Sequence, residues 1–149
     1  MNTEFDESVT IHTYTYARDK LFFPSKEELA THLLLRLIPS LTPIGTIRGY
    51  LIPQTTDTYK LTRLAILKDY RKYGFGRKLV EAFHDWVKSD ASANSTTGSV
   101  IMNPSLPRQI RINCHSQIYA KGFYAKYVAH SLSQYRNLFC LETVLTNDV

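Results

Sequence analysis

The sequence predicts an α/β fold built on a largely antiparallel sheet. Three observations carry this. Runs of β-branched and aromatic residues recur between turn-forming clusters. Two stretches carry apolar residues at helical spacing, and each follows a strand-like run. The 149 residues are 44% hydrophobic, enough for one packed core in one domain spanning 1–149.

The elements follow in order. Val9 to Tyr16 is rich in β-branched and aromatic residues and reads as a first strand. Pro24-Ser25-Lys26-Glu27-Glu28 is a helix start, with Ser25 and Glu28 spaced as a capping box. The run Leu29–Ile38 fits either a continuation of that helix or a strand from about His32. The turn Pro39–Pro43 favours a strand over Leu33–Leu37, forming an antiparallel hairpin with Ile44–Ile52. Pro53–Thr58 is a polar turn. Tyr59–Leu67 is a strand whose Leu61, Leu64, Ala65, Ile66 and Leu67 suit a sheet centre.

Asp69–Gly76 then leads into a helix to about Lys88, where Leu79, Val80, Phe83, Trp86 and Val87 form one apolar face. Ala91–Gly98 is small and polar and reads as a surface loop. Gln109–Cys114 reads as a strand, Ser116–Tyr127 as a second amphipathic helix, and Asn137–Leu145 as a last strand.

Several function classes are excluded or disfavoured by the bulk properties. No apolar run approaches the roughly 20 residues that span a membrane. Met1–Glu7 is acidic, whereas a secretory leader begins basic. The two cysteines, Cys114 and Cys140, suggest neither a disulfide framework nor a metal site. The expectation is a cytoplasmic or nuclear protein with no metal and no membrane partner. The net charge of +5, from 18 basic and 13 acidic side chains, favours an anionic partner. Lys68, Arg71, Lys72, Arg77 and Lys78 cluster against the single acid Asp69. Beside a glycine-rich turn, that clustering points to a phosphate-bearing small molecule more than to a nucleic acid.

The chemistry lies in the unit strand, Arg71-x-x-Gly74-x-Gly76, helix. The first amides of a helix lack intrahelical partners, and the helix dipole adds positive potential there. Glycines let the backbone approach a pyrophosphate closely, and Arg71 and Lys72 add charge-assisted hydrogen bonds. A bare Gly-x-Gly at such a junction also fits a tight turn beside a solvated basic helix start. A dinucleotide fingerprint does not fit, because its third glycine falls at Leu79; a Walker loop is absent.

Leu64-Ala65-Ile66 followed by Tyr70-Arg71-Lys72-Tyr73-Gly74-Phe75-Gly76-Arg77-Lys78-Leu79 resembles motif A of the GNAT superfamily of acetyltransferases. Ile112 to Gln117 with Phe123-Tyr124-Ala125-Lys126-Tyr127 resembles its motif B, and Pro43–Arg48 its preceding strand. The likeness covers about residues 32–127 and looks nearest to small GNAT proteins of the ElaA-like kind.

The resemblance implies a mixed, mostly antiparallel twisted sheet with helices on both faces and a splayed central strand pair. It implies acetyl-CoA as co-substrate, bound through Leu64, Ala65, Ile66, Arg71, Lys72, Tyr73, Gly74, Phe75, Gly76, Arg77 and Asn113. It implies direct acetyl transfer to a primary amine of a small molecule or peptide. A backbone amide near Ile66 would stabilise the oxyanion, and Tyr124 would protonate the departing thiolate.

Other roles compete at several of these positions. Tyr124 also fits an aromatic packed on a helix face, Asn113 a helix cap, and His115 a general base or an ordinary junction residue. Cys114 fits a buried small residue, and Trp86 the core. The chain departs from the family at Val128-Ala129, where Gly-Phe is usual, along the short segment 17–31, and in the tail from His130. These departures motivate a rival, a coenzyme A-binding protein with weakened catalysis. A basic nucleic-acid-binding domain is a third and lesser reading. If the missing Gly-Phe and the unusual tail reflect a rearranged last hairpin, the C-terminal strand is expected to pair with a second copy in a homodimer, since an exposed edge strand is a template for pairing.

Overall fold

The structure, a computed structural model, describes residues 8–15, 29–95, 108–117, 120–127, 131–135 and 138–147. The elements run β1 (Ser8–Thr15), β2 (Thr31–Ile38), β3 (Pro43–Leu51), β4 (Thr58–Ile66), a 3-10 turn (Lys68–Tyr73) and α1 (Phe75–Ser95). They continue with β5 (Arg108–Gln117), α2 (Lys121–Tyr127), β6 (Ser131–Tyr135) and β7 (Leu138–Asn147). The chain divides into two compact units, 1–50 with 61–83 and 51–60 with 84–149.

In the first unit the strand order is β1-β2-β3-β4. β1 and β3 both pair antiparallel with β2, so the ambiguous run is a strand and the expected hairpin forms. Alternation settles it. Thr31, Leu33, Leu35 and Leu37 are buried, whereas His32, Leu34 and Arg36 are half-buried, which is the period of two of a strand with distinct faces. The register slips between Leu35 and Arg36, placing Arg36 opposite Pro43. A proline without an N–H sits most easily at such a strand start or bulge. The capping box at Ser25 and Glu28 lies outside the described residues.

Helix α1 packs on the Leu35 side of this sheet. Leu35 pairs with Gly45, and a Cβ built on Gly45 would lie 3.2 Å from Leu79 Cδ1 and overlap Ile66 Cδ1. Glycine is therefore required here by space. Phe75, Leu79, Val80 and Phe83 complete the buried face with Leu33, Leu35, Ile44 and Ile47. Gly45→Ala is expected to cost about 1–3 kcal/mol through overpacking. Adding Ile66→Val, which removes the clashing Cδ1, should recover part of that loss in chemical denaturation.

In the second unit the order is β5-β7-β6. β7 pairs antiparallel with both neighbours. Arg111 N donates to Asp57 O at 2.8 Å, just ahead of β4. Tyr59 is fully buried, with its hydroxyl donating to Asp90 Oδ2 at 2.8 Å. Trp86 is half-buried rather than core and stands edge-on to Tyr59 at 5.7 Å.

Four expectations need correcting. Helix α1 continues to Ser95, because Ala91, one turn beyond Val87, extends the apolar stripe and is fully buried. The second helix begins at Lys121, not Ser116, since Ser116 and Gln117 pair with Phe139 and Leu138 in the sheet. β6 was not anticipated. It pairs with β7 along its whole length, so the tail strand is flanked on both sides and is not an edge. Finally, the end of β4 is less buried than expected. Leu64 and Ile66 are half-buried, Ala65 is exposed, and Leu67 just beyond is 54% exposed.

Candidate functional site

The exposure of the β4 end has a backbone cause. Arg63 has φ 49°, a left-handed conformation inside a strand. For a residue with a side chain this costs roughly 1–2 kcal/mol and marks a bulge. The bulge reverses the alternation. Before it, Tyr59 and Leu61 are buried; after it, Leu64 and Ile66 turn inward and Ala65 turns out. Ile66 thereby reaches over Gly45 on the α1 side. No sequence signal marks Arg63, because glycine or asparagine is the usual occupant of that conformation.

The loop after β4 is held by its own main chain and one arginine. Leu67 N donates to Ile44 O at 2.9 Å, and Tyr70 N to Leu67 O at 2.9 Å. Arg71 Nε donates to Ile66 O at 3.0 Å, tying the turn back to the strand. Arg71 is therefore a loop staple as well as a surface cation. The 3-10 turn ends at Gly74, with φ 75° and ψ 10°, and a Cβ there would meet nothing within 4 Å. Glycine is favoured at Gly74 by its conformation, not by lack of room.

Helix α1 then starts at Phe75, and Lys78 N donates to Gly74 O at 3.2 Å. Phe75, Gly76 and Arg77 are the first three residues of the helix, and their amides precede its own hydrogen-bonded ladder. They stand at the positive end of its dipole. Open space at Gly74, three such amides and the exposed Arg71 and Lys72 suit the diphosphate of a coenzyme.

Other loop side chains are already engaged. Lys72 Nζ lies 5.2 Å from the Tyr73 ring centroid and Lys78 Nζ 5.9 Å from that of Phe75. The Tyr73 and Phe75 rings are 6.0 Å apart. Phe75 is 2% exposed and belongs to the core rather than to a ligand surface. Arg77 is bonded to Glu81 at 2.6 Å, both well exposed.

Thus Leu64, Ala65, Ile66 and Arg71–Arg77 come together in the first unit. Asn113 and Tyr124 belong to the second. Asn113 lies within β5, opposite Glu142, and so is not a helix cap. It is half-buried on the face opposite the buried Ile112 and Cys114. His115 also lies in β5 rather than at a junction, and its side chain lies outside the described residues. Cys114 is buried and is not in a disulfide. Tyr124 is half-buried on α2, its ring edge-on to Phe123 at 5.5 Å. Among the described residues, no group of three or more His, Cys, Asp and Glu side chains could hold a metal ion. No described helix is long and apolar enough to cross a membrane.

This architecture is that of the GNAT acetyltransferases. Residues 3–100 match the Acetyltransferase (GNAT) family, and the chain belongs to that family. A Bacillus subtilis protein named as a candidate acetyltransferase is 32% identical over 84 residues, 56% of this chain and 44% of its own length. YyaT of the same organism, an uncharacterised protein, is 29% identical over 104 residues, 70% of this chain and 55% of its own. The chain therefore spans about half the length of these curated relatives.

Solved structures match over more of the chain. A Lactobacillus plantarum protein solved as a candidate N-acetyltransferase superposes with TM-score 0.62 at 18% identity, covering 93% of this chain and 99% of that one. Ard1 from Thermoplasma volcanium gives 0.58 at 14%, covering 92% and 97%. Escherichia coli ElaA gives 0.51 at 10%, covering 76% and 67%. The mixed, mostly antiparallel sheet with helices expected from the sequence is the fold these structures share with the chain.

Proposed function

We propose that the protein is an N-acetyltransferase that moves the acetyl group of acetyl-CoA directly to a primary amine of a small molecule or peptide in the cytoplasm. The observation carrying this reading is the bulged end of β4 followed by the arginine-stapled, left-handed turn at Gly74. In this reading the amides of Phe75, Gly76 and Arg77, with Arg71 and Lys72, hold the diphosphate. Leu64, Ala65 and Ile66 continue the coenzyme path, and Asn113 is assigned to the coenzyme by the family resemblance alone.

The main-chain pattern narrows the oxyanion donor. Leu67 N is committed to Ile44 O. Main-chain groups of successive strand residues point to opposite sides, so Ile66 directs its N–H away from β3. That amide is the one we assign to the oxyanion. Tyr124 is assigned as the proton donor to the leaving thiolate, a task a phenol hydroxyl can perform as a general acid.

Acetyl-CoA at 100 times its dissociation constant should stabilise the fold by about 2.7 kcal/mol, read as a raised melting temperature. NAD and ATP at equal concentration should do markedly less. An unchanged melting temperature at millimolar acetyl-CoA would overturn the proposal.

A second reading, coenzyme binding without turnover, is favoured by one observation. The family match ends at residue 100, ahead of both Asn113 and Tyr124. A panel of amines assayed for thiol release decides between the two, since a binder shows the thermal shift but releases no thiol.

A further inference from the structure

The face of the first unit's sheet that α1 does not cover carries a cavity of about 510 Å³ lined, among the described residues, by Tyr14, Thr15, His32, Leu34, Arg36 and Thr46. That volume is within the range of small-molecule pockets, about 300–1,000 Å³. Register builds it from three adjacent strands. Tyr14 lies opposite His32, and Leu34 opposite Thr46, so all four project to one side, away from Leu35 and Gly45. The cavity shares no residue with the Arg71–Arg77 loop and stands independently of the coenzyme reading.

Its chemistry is uneven. Tyr14 and Leu34 offer apolar surface, and Thr46 and His32 offer polar groups. Arg36 is the only one of the six with a permanent charge, and none is acidic. A guanidinium cannot shed its proton in a protein. Yet, among the described residues, nothing accepts a hydrogen bond from the buried Nε of Arg36. A buried donor left unpaired is costly, and a charged one more so. Its guanidinium carbon lies 6.0 Å from the Tyr14 ring centroid, so the ring helps to orient the planar fork. A carboxylate is the group that such a fork takes with two parallel hydrogen bonds.

We propose that this cavity binds a small organic monocarboxylate with an apolar body, the carboxylate meeting Arg36 and the body lying against Leu34 and Tyr14. One arginine in a half-apolar pocket suits a single negative charge better than a phosphate dianion, which would leave charge uncompensated. The sequence reading missed the site because Tyr14, His32 and Arg36 are far apart in the chain and meet only through strand register.

The test is calorimetric titration of the full chain with phenylacetate, phenylacetamide and inorganic phosphate at constant ionic strength. Phenylacetate is expected to bind in the millimolar range, with the amide and phosphate each at least about tenfold weaker, since hydrogen bonds to charged groups decide the contrast. Arg36→Gln should weaken phenylacetate by about tenfold or more and leave the acetyl-CoA thermal shift unchanged. Should that variant fold poorly, Leu34→Glu gives a second test, because its own carboxylate beside Arg36 should block phenylacetate. An amide or a phosphate that binds as tightly as phenylacetate overturns the proposal. So does an unchanged affinity in either folded variant, or no heat with phenylacetate at tens of millimolar.

Discussion

Valine in place of Gly74 is expected to abolish the acetyl-CoA thermal shift and to lower intrinsic stability at the same time. The two effects have different origins. The φ of 75° at Gly74 is a conformation that a β-branched residue adopts only under strain, costing about 1–2 kcal/mol. The open space at its Cβ position means that no clash within the protein adds to this. In the proposed coenzyme reading that same space is the diphosphate's approach, so the added isopropyl group would obstruct it. The full ligand stabilisation, about 2.7 kcal/mol at 100 times the dissociation constant, should disappear.

Gly74→Asn separates the two effects. Asparagine tolerates the left-handed conformation, so this variant should melt near the wild type. It still carries a side chain into the same space and should still bind acetyl-CoA weakly. An intact acetyl-CoA response in either variant would show that the ligand does not pass Gly74.

What the sequence made legible, and what it concealed, divides along physical lines. The Gly74 turn and α1 were readable because their signals are local: a cationic turn, two glycines, and apolar residues at helical spacing. The β2 strand was readable because the proline-bounded turn at Pro39–Pro43 leaves room for little but a hairpin. The bulge at Arg63 was not, since arginine carries no preference for a left-handed backbone and only the surrounding sheet imposes it. That single residue reversed the facing of Leu64, Ala65 and Ile66. A plain count of apolar residues therefore placed them in the sheet centre, whereas the strand exposes part of its end. The extension of α1 to Ser95 was obscured by composition. Ala91-Ser92-Ala93-Asn94-Ser95 reads as a loop unless Ala91 is seen as the next step of the stripe from Val87. The β6–β7 pairing is a contact set by register, and the polar, tyrosine-containing run Ser131–Tyr135 gives little local sign of it. Of the candidate site, the loop was legible residue by residue, and Asn113 only by resemblance. Its position inside β5 removes the helix-cap explanation for it.

Tyr124→Phe is the substitution expected to change turnover most while changing the structure least. The ring contributes packing, including the edge-on contact with Phe123, and phenylalanine preserves that contact. Under the proposed mechanism the hydroxyl contributes a proton only when a thiolate departs, because the sulfur of an intact thioester accepts hydrogen bonds poorly. Acetyl-CoA affinity and the melting temperature should therefore stay close to wild type. Turnover should fall by about 10²–10⁴-fold, the usual cost of losing a positioned general acid. kcat and kcat/KM should fall together, as expected for an interaction made only in the transition state. The outcomes are distinguishable in one preparation. A melted variant would make Tyr124 a packing residue. Unchanged turnover would place the proton donor elsewhere, with Tyr119 and Tyr127 the nearest tyrosines along the chain to substitute next. A wild type that shows the acetyl-CoA shift yet acetylates none of a broad amine panel would favour binding without turnover. The hydroxyl of Tyr124 would then have no thiolate to serve.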